Sequence, residues 1–227
     1  MNDPTPVIIV HGLWVHGLVM TWFARRIARC GFAVHVFSYP SVRLSLTENA
    51  ERLSRFCENL GAPRVHIVAH SIGGMVALKM LEIARGVRCG RLVLLGTPYS
   101  GSFAAQRLAR FPGGTALLGR GIAEWLSRPR PGVHAEEAGI IAGNCGFGLG
   151  RLVAPDLPRP NDGAITLAET EIPGVTRRVV LDVGHSAMLI SQDVARQCCA
   201  FLRSGQFEPA CTVSIYPVKN CRIMRLP

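Results

Sequence analysis

A chain of 227 residues that is 48% hydrophobic is long and apolar enough for one domain with a large buried core, which excludes disorder for its body. Its 25 Lys and Arg against 15 Asp and Glu give a charge of +10, but the basic residues are scattered in pairs such as Arg25-Arg26 and Arg177-Arg178, and aromatics make up only 7%. That pattern argues against a nucleic-acid stripe and leaves only a weak association with anionic membrane surfaces as a use for the excess.

In chain order, short apolar runs alternate with helical patterns. Val7 to Val10, Ala33 to Phe37, Val65 to Ala69, Leu92 to Leu95 and Arg178 to Asp182 read as strands, several with the unbroken Val, Ile and Leu of strands buried on both faces. Helices are expected over Trp14 to Cys30, Leu46 to Leu60 and Ile72 to Arg85, the last closed by Gly86 as a left-handed cap. From Thr97 to His134 the chain is rich in Gly, Pro and Arg yet carries Phe103, Leu108, Phe111, Leu118, Ile122 and Trp125, too apolar for a plain loop. Helical cap pieces over the sheet would use them. Gly139 to Ala142 is a sixth strand candidate, followed by a turn-rich stretch to Thr166. The fold class is therefore α/β: a mostly parallel, doubly wound sheet of about six strands flanked by helices, with a small helical cap insertion. Residues 1–204 form the single domain, 97–134 its cap insertion, and 205–227 a C-terminal tail whose CTVSIYP could be an edge strand.

The opening MNDPTPVIIVHG has an apolar run of four and no Lys or Arg, and no uncharged apolar run elsewhere reaches about 18 residues. The chain thus reads as a soluble cytoplasmic protein. Its eight cysteines, from Cys30 to Cys221, form no C-x-x-C pair, so most are expected to be reduced and buried. Neither a phosphate-cradling glycine loop nor metal-ligand spacing is present, and no cofactor or metal is expected.

The stretch VAHSIGGMV places Ser71 between an apolar run and two glycines. A helix-capping serine would explain Ser71 alone. The small residues Ala69, Gly73 and Gly74 are better explained by a strained strand-to-helix turn that lifts the hydroxyl out of the packed layer. A serine becomes a useful nucleophile when a base takes its proton and a third group orients that base. Of the histidines, only His134 and His185 follow the start of the cap. His134 falls on the cap, whereas His185 follows the last strand at once, with Gly184 supplying the turn. Asp156, Asp162 and Asp182 are the acids in range. Asp162, in PNDGAIT, is preferred over Asp156 among its prolines and over Asp182, which suits a cap of its own turn; an Asp-Gly pair is also an ordinary turn. For the oxyanion, the first strand runs into His11-Gly12-Leu13, so the Leu13 N–H can stand beside that of Ile72, which opens the helix after the serine. His11 and His70 read as packing and hydrogen-bonding parts of these turns.

HGLWVHG, AHSIGG, LLGTPYSGS, PNDGAI and GHSAML, in that order over Pro6 to Leu202, resemble the alpha/beta-hydrolase fold and, within it, small bacterial lipase-like serine esterases. The resemblance implies a nucleophile at Ser71, an acid at Asp162, a base at His185 and oxyanion donors at Leu13 and Ile72. Ala69 stands where the family's elbow usually has its first glycine, and the family's two outer N-terminal strands have no counterpart. The expected activity is cleavage of small-molecule or lipid carboxylic esters through an acyl-enzyme. An acyltransferase or thioesterase would use the same triad, and a non-catalytic binding module would be expected to have lost one of its three members. The short cap suits short to medium acyl chains.

Overall fold

A computed structural model describes residues 5–15, 17–148 and 150–209. Among them six strands form one sheet: β1 (Val7–Val10), β2 (Val34–Phe37), β3 (Arg64–His70), β4 (Arg88–Leu95), β5 (Ala135–Gly143) and β6 (Arg178–Leu181). Their order is β2-β1-β3-β4-β5-β6 and every pairing is parallel. The helices are α1 (Thr21–Arg29), α2 (Leu46–Asn59), α3 (Ile72–Ile83), α4 (Phe103–Ala109), α5 (Gly114–Ser127), a single turn α6 (Gly150–Val153) and α7 (Gln192–Ser204).

The two-residue period of each strand divides the core. Ile8 and Val10 point to one face with Leu53 of α2, Met75 of α3 and Trp125 of α5, while Val7 and Ile9 meet Phe23 of α1 and Phe201 of α7 on the other. Helices thus cover both faces, as unbroken apolar strands require. Chain direction across the sheet reverses between β1 and β3. That reversal opens a crevice at the carboxyl ends of these two neighbours, the usual binding position in an open parallel sheet.

Several expectations shift in detail. The first helix begins at Thr21 after a 3-10 turn over Gly17–Met20. Helix α3 stops at Ile83 because Ala84 turns to extended backbone, so Gly86 is not its left-handed cap. His134 lies exposed just ahead of β5 rather than among the insertion's helices, and β4 and β5 both start earlier than the apolar runs suggested because their first residues include the charged Arg88, Arg91, Glu136 and Glu137. CTVSIYP falls outside the described residues. The start of the tail packs on α7: Phe207 meets Phe201, and the Gln197 side chain exchanges two hydrogen bonds with the Glu208 backbone.

The cysteines are a larger correction. Packing of α1 against α7 brings the Cα atoms of Cys30 and Cys199 to 6.3 Å, and they form a disulfide. Cys57, Cys89 and Cys198 are buried free thiols. The pairing spans 169 residues, a distance over which spacing carries no signal.

Candidate active site

Ser71 ends β3 and opens α3 with φ 55 and ψ −131, a conformation costly for a residue with a side chain. Its neighbours make the turn possible. The Ser71 N–H donates to Leu95 C=O at 2.8 Å and Gly74 N–H to Ser71 C=O at 3.0 Å. A Cβ on Gly73 would lie 2.3 Å from the His11 carbonyl oxygen, so only glycine lets the elbow close against the end of β1.

The Ser71 hydroxyl stands 3.0 Å from His185 Nε2, and His185 Nδ1 stands 2.7 Å from Asp162 Oδ2. Since a carboxylate only accepts, Nδ1 carries the hydrogen and Nε2 faces the serine as an acceptor. Asp162 is 1% exposed, and its second oxygen, Oδ1, accepts from Ala164 N–H at 3.0 Å and Ile165 N–H at 2.7 Å. The Asp-Gly turn and the candidate acid are thus one device: one oxygen shapes the loop and the other holds the imidazole. The two loops are joined again by the His185 N–H donating to Asp162 C=O at 2.8 Å. Burial works to lower the His185 pKa, but the charge and hydrogen bond of Asp162 outweigh it, and the net shift is upward.

The other candidates stand apart. Asp182 is exposed at the end of β6, and its carboxylate makes no hydrogen bond to a described residue, so it does not cap its turn. Asp156 forms a surface ion pair with Arg107 at 3.3 Å.

Both flanking histidines act on the backbone. His70 Nε2 donates to His185 C=O at 3.1 Å with the two rings 4.7 Å apart. Burial, and then the proximity of His185, push its pKa down to about 3, so it stays neutral. His11 Nε2 accepts from Tyr39 N–H at 3.1 Å, which leaves Nδ1 to carry the hydrogen and donate to Gly12 C=O at 2.9 Å. In a trans peptide the N–H points opposite to the C=O, so pinning Gly12 C=O turns Leu13 N–H the other way. Tyr39 stacks on His11 at 4.3 Å and donates its hydroxyl to His11 C=O at 2.8 Å. The Ile72 N–H, first in α3, has no acceptor within its helix. Leu13, Ile72, Ser71 and His185 all line one cavity of about 310 Å³.

The cavity's remaining walls are apolar. Leu118, Ile122 and Trp125, at helical spacing on α5, face it together with Ala105 and Leu108 of α4 and Ile165 beside the acid. Helix α5 is fixed to the body at several points. Glu124 accepts from Thr47 N–H at 3.1 Å and Thr47 Oγ1 at 2.6 Å, and Arg120 N–H reaches Val42 C=O at 3.1 Å where Gly119, at φ 78, kinks the helix.

Sequence reading passed over two residues here. Glu169 accepts from Thr166 N–H at 2.7 Å and from Phe103 N–H, tying the acid's loop to the first turn of α4. The Thr-x-x-Glu spacing that makes half of this clasp is a capping-box pattern readable in TLAE. Trp14, directly after Leu13, has a left-handed backbone for which the sequence carries no signal.

A parallel sheet with a serine on a left-handed elbow after its third strand, a histidine after its last and a crevice at the reversal of strand order defines the alpha/beta-hydrolase class. The model of the Alpha/beta hydrolase family matches residues 7–197, and the chain belongs to that family. Among solved structures it is similar to the mature Bacillus licheniformis lipase BlEst2, at 19% identity over 89% of this chain and 93% of that one, TM-score 0.70. It is also similar to a metagenomic carboxyl esterase, at 18% identity over 82% of this chain and 65% of the other, TM-score 0.62. Carboxylesterase CesB from Bacillus subtilis matches at 14% identity over 91% and 86% of the two chains, TM-score 0.55. At these identities the likeness is one of fold. Comparison with curated proteins gives no match. None of the described helices is long and apolar enough to cross a membrane.

Proposed function

We propose that the protein is a serine hydrolase that cleaves carboxylic esters with short to medium acyl groups. The observation that carries this reading is the hydrogen-bonded chain Ser71–His185–Asp162, at 3.0 and 2.7 Å, opening into an apolar cavity of about 310 Å³. Ser71 Oγ attacks the ester carbonyl carbon while its proton passes to His185 Nε2. The carbonyl oxygen becomes an oxyanion and accepts from the N–H groups of Leu13 and Ile72. The bond to the alcohol oxygen then breaks, His185 gives its proton to that oxygen, and an acyl-enzyme on Ser71 remains. Water, deprotonated by the same histidine, attacks this ester, and collapse frees the carboxylic acid and restores Ser71. Asp162 keeps Nδ1 protonated and stabilises the imidazolium of each step.

Residues 97–134 act as the cap over the acyl group and 205–227 as a tail outside the chemistry. The cap's anchors at Thr47, Val42 and Trp14 favour a fixed roof. The lipase and esterases of similar fold support the ester reading. The Cys30–Cys199 disulfide favours an oxidising compartment over the cytoplasm expected from the sequence, because such bonds persist outside reducing cytosol. Incubation with a fluorophosphonate, followed by peptide mapping, tests the assignment: one adduct on Ser71 is expected, and folded protein that stays unlabelled would overturn it.

A further inference from the structure

Among the described residues with a side chain, two have positive φ: Ser71 at 55 and Trp14 at 56. Left-handed backbone is unusual for a residue as large as tryptophan and persists only where its surroundings hold it. At Trp14 the holding groups can be named. Its backbone N–H donates to Ser41 Oγ at 3.2 Å, and its indole Nε1–H donates to Leu117 C=O on α5 at 2.9 Å.

These contacts bear on the residue before it. The peptide ahead of Leu13 is pinned by His11 on Gly12 C=O, and the peptide after it by Ser41 on Trp14 N–H. With both planes fixed, the direction of Leu13 N–H is set. Trp14 is 58% exposed and adds little to the core, yet its indole bonds this loop to the helix that roofs the cavity. Leu118, next to its acceptor, lines that cavity.

We infer that Trp14 is a positioning residue for the oxyanion hole: its indole, hung from the Leu117 carbonyl, holds the left-handed turn that aims Leu13 N–H, and so couples the acyl-pocket roof to the charge-stabilising donors. This rests on the reading of Leu13 N–H as an oxyanion donor. A donor displaced by a fraction of an ångström loses its grip on the transition state more than on the bound ester.

The test compares Trp14→Phe, which keeps a ring but loses the N–H, with Trp14→Gly, which adopts the turn without strain but loses the tether. With p-nitrophenyl butyrate, both variants are expected to lose roughly tenfold in kcat with KM within about twofold of the parent. Both should also bind butylboronic acid, whose tetrahedral adduct on Ser71 places an anionic oxygen at the donors, about tenfold more weakly. The Trp14→Phe melt should match the parent, since the side chain is mostly exposed, and the Trp14→Gly melt should not fall below it, since glycine relieves the strain of the turn. Kcat within twofold of the parent in both variants, or a loss carried by KM alone, overturns the inference. Ser71→Ala is measured alongside: full activity there would sink the underlying hydrolase reading, whereas an inactive Ser71→Ala with unaffected Trp14 variants sinks only the tether.

Discussion

The two left-handed turns built on residues with a side chain among the described residues, at Ser71 and at Trp14, are held by opposite means. At the elbow the constraint comes from the backbone of regular structure: β3 and α3 arrive fixed, Gly73 admits the His11 carbonyl, and the bonds that set the turn lie in the sheet and in the first turn of the helix. At Trp14 it rests on side chains: the Ser41 hydroxyl, 27 residues away on the β2–α2 loop, and the indole itself, which reaches the Leu117 carbonyl 103 residues away on α5. Each turn stores on the order of 1–3 kcal/mol. The proposed nucleophile thus stands on a rigid frame, while the proposed donor facing it depends on contacts that single substitutions can remove.

Removing the reacting groups should have the largest effect. Ser71→Ala and His185→Ala are each expected to lower kcat on p-nitrophenyl butyrate on the order of 10^5 to 10^6-fold; Ser71→Ala should leave the melting temperature in place, whereas His185→Ala should lower it, because it leaves the Asp162 carboxylate buried without its ion-pair partner. Appreciable turnover by folded Ser71→Ala would remove the chemical meaning of the elbow. Next comes the acid: Asp162→Asn should cost about 10^4-fold by favouring the wrong tautomer, against less than about twofold for exposed Asp182→Asn. The reverse ranking would move the orienting role to β6.

The upward shift of His185 fixes the acid limb of the rate. Only neutral imidazole takes the serine proton, so kcat/KM should fall about tenfold per pH unit below a midpoint that lies above the ordinary histidine value of about 6.5. A midpoint at or below that value in a pH–rate profile would contradict the ion pair with Asp162.

The last two predictions set the frames against each other directly. Gly73→Ala drives a methyl group into backbone, so the elbow should lose roughly 1–3 kcal/mol of stability in urea titration. Tyr39→Phe removes only the hydroxyl from His11 C=O, and a loss of about 1 kcal/mol with a few-fold drop in kcat is expected. A smaller loss of stability in Gly73→Ala than in Tyr39→Phe would erase the distinction between a frame of regular backbone and one of side-chain contacts.

The same distinction explains what could be read from the chain. Strand runs such as Val7–Val10 and the small residues around Ser71 are local signals, and they were enough to give the sheet and the elbow. The order serine, aspartate, histidine picked out three side chains that the fold brings within hydrogen-bond reach across 114 residues. The glycine and the apolar pair after Asp162 set it apart in the sequence from Asp156 and Asp182 as part of a tight turn, and the structure buries that turn. The Trp14 tether, the clasp of Glu169 on α4 and the Cys30–Cys199 pair were not legible. Each joins elements with no shared period, and contact between them exists only after the layers have packed. Helix ends also escaped: Gly86 offered a cap, but the chain had already left the helix at Ala84.

The disulfide between α1 and α7 has a topological consequence. Ser71, Asp162 and His185, together with the whole 97–134 segment, lie between Cys30 and Cys199, so the candidate site lies on a closed covalent ring. A protease that nicks an exposed bend of that segment, such as the one at Phe111, opens the ring without releasing a fragment. The cut chain should run as one band without reductant and as two with it. Damage that would dismember a linear chain leaves a single molecule whose three functional groups remain on one connected body.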